Sequence, residues 1–175
     1  MTHCRPLAAV LVVLMAALAL QVGRTSAQPL PPDLTHGGVR DDKHDWTLGP
    51  TGARGWIWAK NFVTTDARQI LITRVDPGSP SDGILVPGDV ILGVDGVPFA
   101  GDARIAMGRA ITEAEGTRHQ GRLRLIRWRG GRSEQVVVRL AVLGDYGPRA
   151  PADCAKSRRI VDMACRRLEI GRAHV

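Results

Sequence analysis

Five consecutive residues, Asp41-Asp42-Lys43-His44-Asp45, are the densest run of side chains able to do chemistry. Carboxylates and imidazole both bind divalent ions, but Lys43 sits in their midst and the spacing matches no metal cage. The run reads as solvated linker, and neither a metal nor a cofactor is expected. Nucleophilic catalysis has as little support. Ser79, Ser81, Ser133 and Ser157 occur in no nucleophile-elbow context, and away from the chain ends the available bases are His36, His44 and His119. The expectation is a protein that is not an enzyme.

Cys154 and Cys165 are separated by eleven residues. On one intact helix that is about 16 Å, far beyond the roughly 4.4–6.8 Å a disulfide permits, so they are not expected to bond to each other there. Eleven residues return to nearly the same helix face, where both thiols can pack as small apolar groups. The spacing is not a zinc motif. Six arginines, Arg122, Arg124, Arg127, Arg129, Arg132 and Arg139, crowd the last hairpin. They read either as a solvated sheet face that discourages edge pairing or as a docking surface for an acidic partner or anionic envelope component.

The elements that position these groups are legible from turns and periodicity. Pro87-Gly88-Asp89 is a tight turn, Val90 to Val94 a short β-rich run, and Asp95-Gly96 a hairpin pair. Upstream, Ile70 to Val75 reads as a strand and Ser81 to Leu85 as one helical turn. Asp102 to Glu115 is a helix, with Asp102 as N-cap, Gly116 at its end, and Ala106, Met107, Ala110, Ile111 and Ala114 on one apolar stripe. Arg122 to Leu125 alternates with period two, and Val136 to Leu140 pairs back across Gly130-Gly131. Arg127 falls where the pattern points inward, which implies a bulge or an arginine snorkelling past the edge. Trp56 to Lys60 is a β-prone run leaving the glycine-punctuated loop Leu48 to Gly55.

Together, Asp76-Pro77-Gly78-Ser79-Pro80, Gly88 to Gly96 and Val97-Pro98-Phe99 resemble the central segment of a PDZ domain. The resemblance runs from roughly Leu48 to Leu140. It implies an α+β, mainly β fold: a small, partly open β-barrel of five to six strands, one long flanking helix and one short helical turn. PDZ domains bind peptides by adding a strand to a sheet edge and holding its carboxylate on a glycine loop. The family's hydrophobic-Gly-hydrophobic loop falls on Arg54-Gly55-Trp56. Arg54 departs from the pattern, and a cation there would favour an anionic ligand end. The implied peptide-binding residues are Arg54, Gly55, Trp56, Ile57 and Trp58, with strand addition along Trp56 to Lys60, faced by Ile105, Arg109 and Thr112 on the helix. The same residues also read more plainly, as a turn before a strand with Trp56 in the core and Ile105 on the surface.

The ends complete the organisation. Residues 1–27 read as a secretory signal peptide, with Arg5, fourteen apolar residues from Leu7 to Leu20, and Thr25-Ser26-Ala27 at the cut. Those fourteen span about 21 Å of a roughly 30 Å membrane core, so no stable membrane span is expected after cleavage. Residues 28–45 read as a flexible linker rich in proline and glycine, and 46–142 as the PDZ-like domain. Residues 143–169 are similar to the connector of uncharacterised bacterial secreted proteins in which a PDZ-like domain precedes a helical α/α toroid; Ser157 to Leu168 would begin that toroid. Residues 170–175 resemble a translated sequencing adapter; the alternative is a genuine basic tail. The formal charge is +7, of which Arg5 and Arg24 belong to the leader. No lysine-rich run or interleaved aromatics point to nucleic acid. The expected partners are a peptide or protein C-terminus or extended segment, and the helical region that would follow. The expected location is periplasmic or extracellular. Three functions fit: a peptide-binding module, an accessory domain of a larger secreted enzyme, or an architectural domain whose groove holds its own linker.

Overall fold

The computed structural model describes residues 32–35, 37–59, 66 and 68–172. The leader expected over residues 1–27 lies outside them, as do Lys60 and residues 173–175. Among the described residues, seven antiparallel strands form one sheet: β1 (Asp45–Thr47), β2 (Ala53–Trp56), β3 (Ile70–Val75), β4 (Val90–Val94), β5 (Val97–Pro98), β6 (Arg122–Arg129) and β7 (Arg132–Arg139). Their order is β1-β2-β3-β4-β6-β7, with β5 paired to β4 alone. Helix α1 (Ala103–Ala114) covers one face, and α2 (Ala155–Arg172) follows the sheet. The architecture is a PDZ-like, partly open barrel with a flanking helix.

Local chemistry explains the elements. Asp95-Gly96 and Gly130-Gly131 all take positive φ, the geometry that lets a two-residue turn follow the strand twist. Asp102 caps α1 by accepting the Arg104 N–H at 2.9 Å. Ala103, Met107, Ala110 and Ala114 turn the apolar stripe of α1 into the core, where they meet Ile57, Ile70, Ile72, Ile91, Leu123, Leu125 and Val138. Gly116 has no left-handed backbone. Its hydrogen side chain instead lets Asp145 pack close by.

Two expectations shift. The strand placed at Trp56 to Lys60 is Ala53–Trp56 instead, and the supposed linker end at Asp45 is the first residue of β1. Gly55 leaves no room for a Cβ against Ile70 and Leu48, so β2 lies tightly between β1 and β3. Secondly, β6 alternates without a break, placing Leu123, Leu125 and Arg127 inward. The bulge lies opposite, between Ile91 and Gly93 of β4. Buried Arg127 donates to the Ile84 carbonyl at 2.5 Å and pairs with Glu134, so it neither snorkels nor bulges.

Candidate binding groove

Strand β2 has no open margin. Asp45, Trp46 and Thr47 of β1 lie opposite Trp56, Gly55 and Arg54, while Ile72 of β3 faces Gly55 from the other side. The ladder runs on through Leu48 N–H to the Ala53 carbonyl at 2.9 Å and Ile57 N–H to the His44 carbonyl at 3.0 Å. Carboxylate capture at Gly55 and strand addition beside Trp56 are therefore overturned. The chain fills that edge itself, with β1. Gly55 is a glycine for packing, since a Cβ there would run into Ile70 Cγ2.

The other expected contacts are mostly committed to the fold. Arg54 donates to the Asp45 carboxylate at 2.8 Å and the Asp45 carbonyl at 2.9 Å, leaving it no role as a lone cation beside a ligand. Burial alone would raise the Asp45 pKa, but hydrogen bonds from Thr73 and Arg54 outweigh it and hold the group below the usual range. Trp56 is buried and donates its indole N–H to the Asp41 carbonyl at 2.7 Å, with Arg40 stacked 5.4 Å from its ring. The plain reading of Trp56 as a core residue is the correct one. Trp58 is half-buried against Gly38. Asp41 binds His44 Nδ1 at 2.6 Å.

An apolar groove does exist, one strand further out. A cavity of about 330 Å³ opens between β1 with the following 3-10 turn (Gly49–Thr51) and helix α1. Trp46, Thr47, Leu48 and Pro50 form one wall, Arg104, Met107, Gly108 and Ile111 the other, and Ile57 also lines it. The helix wall is the i, i+3, i+4, i+7 set that one face of an α-helix must present. Ile105 is 64% exposed and Arg109 is exposed; neither lines the groove. A residue one position along is turned by about 100°, which takes Ile105 off the face of Arg104 and Gly108. Thr112 bonds back to the Gly108 carbonyl at 3.0 Å and lines a second cleft, not the groove itself. Of the expected site, Ile57 alone lines the groove.

β1 ends the sheet. Bonded pairs fall at 44/57 and 48/53, so the intervening alternation turns the Thr47 backbone N–H and C=O away from β2. Arg104 closes the groove at the helix N-terminus: its guanidinium is 5.8 Å from the Trp46 ring and bonds Asp102 at 2.5 Å. Desolvation pushes the Asp102 pKa up, but hydrogen bonds from Arg104 prevail and lower it overall. At the other end Gly49, Pro50 and Ile111 are shared with a cleft of about 390 Å³ walled by Leu143, Tyr146 and, from α2, Ile160, Met163 and Ala164. Met107 and Ile111 were readable as core but not as groove. The signal that could have marked this face is Gly108, a glycine in mid-helix whose Cβ would meet nothing within 4 Å.

No family model matches the sequence. No curated protein matches it either. Among solved structures, an HtrA-type protease with a decapeptide is similar over 57% of this chain and 31% of its own, at 25% identity and a TM-score of 0.32. The chain thus spans under a third of that protein's length. The PDZ-like assignment rests on this chain's own strand order, flanking helix and groove.

Proposed function

We propose that this chain is a non-catalytic, peptide-binding PDZ-like module of an exported bacterial protein. It takes an extended polypeptide segment as an added strand on β1, with side chains in the groove against α1. The observation that carries the reading is the open edge of β1 at Thr47 beside an apolar groove walled by Met107 and Ile111. Main-chain bonds would supply affinity and the groove side-chain selection. Export is supported by the leader-like residues 1–27. Among the described residues no helix is long and apolar enough to cross a membrane.

The test is Gly108→Leu. Glycine in mid-helix costs about 1 kcal/mol relative to good helix formers, so this variant should be at least as stable as the parent while its side chain fills the groove. Peptides selected from a C-terminal library against the parent chain should lose binding to it. A library that yields no binders, or binders indifferent to the filled groove, would overturn the reading. The alternative of an accessory domain in a larger secreted enzyme is favoured by one observation: α2 is tied to the end of α1 by a buried Lys156–Glu115 ion pair at 2.8 Å. A helical region continuing from α2 would be held next to the groove.

A further inference from the structure

Five of the six arginines of the last hairpin divide into two groups. Arg129 is held by the buried Asp89 carboxylate at 2.5 and 2.7 Å, and Arg127 by Glu134 and the Ile84 carbonyl. Arg122, Arg124 and Arg139 form a separate corner. Arg122 lies directly opposite Arg139, and Arg124 is two residues along β6 on the same face. Leu140 N–H bonds the Gly121 carbonyl at 2.8 Å, which makes 121/140 a bonded pair and 122/139 the non-bonded type. In that type side chains approach most closely, and like charges opposite each other destabilise the sheet. Among the described residues neither Arg122 nor Arg139 has a carboxylate partner. Arg124 has only Asp95 at 3.9 Å. The Arg122 Nε is buried with nothing to bond.

The same corner borders an open sheet edge. β7 is eight residues long, pairs among the described residues with β6 alone, and lies at the opposite end of the sheet from the groove. A long, open edge invites another strand. A second copy is the wrong occupant. In an antiparallel self-pair the faces must match, so Arg139 of one copy meets only Ser133, Gln135, Val137 or Arg139 of the other, none of them a carboxylate. Charge instead selects carboxylates.

We propose that the β7 edge and the Arg122–Arg124–Arg139 corner form a docking site for an extended acidic polypeptide segment. The segment adds to β7 through main-chain bonds. Its carboxylates lie among the three guanidinium groups, relieving their mutual repulsion and satisfying the Arg122 N–H. Recognition is confined to this corner, because Asp95 bounds it beside Arg124 while Arg127 and Glu134 lie on the opposite face of the sheet. That spacing suits discrete carboxylates on a strand, not a continuous anionic membrane.

The experiment uses the full chain and a fluorescent, end-blocked hexapeptide of alternating Glu and Val, read by anisotropy. Binding should weaken as salt rises, should be absent for the Gln–Val analogue, and should fall roughly tenfold or more with Arg122→Gln plus Arg139→Gln, since each lost charge-assisted bond counts. That variant should melt no lower than the parent, because a like-charge pair has been removed. Gly108→Leu should leave this binding intact, which separates it from the groove. The proposal is overturned if the acidic peptide does not bind, or if the double variant binds it as the parent does. It is also overturned if the variant merely self-associates in sedimentation, since the arginines would then only guard the edge. Capture by phosphatidylglycerol vesicles in place of the peptide would overturn it as well.

Discussion

Replacing Gly55 with alanine separates a packing glycine from a ligand-binding one. A Cβ at this position meets Ile70 Cγ2 head on and comes within 3.4 Å of Leu48 Cδ1 and 3.5 Å of the Leu71 carbonyl. Ile70 is wholly buried, and β2 is held between β1 and β3, so neither neighbour can easily withdraw. Overpacking of this kind costs about 1–3 kcal/mol. Gly55 does not need positive φ, so alanine recovers about 0.5–1 kcal/mol of chain entropy. The net loss centres on about 1 kcal/mol, a fall in Tm of roughly 4–8 °C for a domain of this size. Thermal melts followed by tryptophan fluorescence would read it directly, with peptide titration at a temperature where the variant is folded. A variant that melts with the parent and loses peptide binding would refute the reasoning, restoring Gly55 to the ligand site.

Further outcomes follow from the ion pairs and the thiol. Lys156 is wholly buried, its Nζ 2.8 Å from Glu115, 3.3 Å from the Thr112 carbonyl and 4.5 Å from the Tyr146 ring. Lys156→Met should therefore cost about 3–5 kcal/mol in urea unfolding, and adding Glu115→Gln should return much of it; equal loss in both would show that the pair is not coupled. Backbone N–H groups of Gly147 and then Ser157 hold the Cys154 thiol down from 9.0 to about 7, despite an opposing effect of burial. A depressed acid contributes stability that is fully present above its unfolded value and is lost as pH falls through the folded value. The urea midpoint of the parent should therefore rise relative to Cys154→Ser from about pH 7 to about pH 9. Parallel pH profiles would remove the thiolate from the account.

Much of the frame was legible because its signals are local. Asp95-Gly96, Gly130-Gly131, the Asp102 cap and the stripe Met107, Ala110 and Ala114 all act within a few residues, and each stands where the sequence places it. The groove was not legible because its walls meet only through tertiary pairing. Asp45–Thr47 crosses back over Ala53–Trp56 in a hairpin of partners 7 to 11 residues apart, but the loop 48–52 between them carries none of the Asn-Gly or Asp-Gly signals that mark a two-residue turn. A helical wheel separates Met107 and Ile111 from the polar face, yet it cannot say that the edge of that stripe stays open. Arg127 broke the polar-out rule because the Ile84 carbonyl and Glu134 take its two terminal nitrogens inside, leaving its Nε unpaired.

The junction after the sheet has a practical corollary for anyone trimming this protein. The Glu115 carbonyl that ends α1 accepts from Leu143 at 2.9 Å and Gly144 at 3.0 Å, and Arg159 donates to the Leu143 carbonyl at 2.8 Å. Cutting at Val142 would strip the terminal turn of α1 of both main-chain donors and strand the Glu115 carboxylate without its ammonium. A minimal piece ending there is a damaged surrogate, and ligand assays belong on a piece that keeps the tether at least through Arg159.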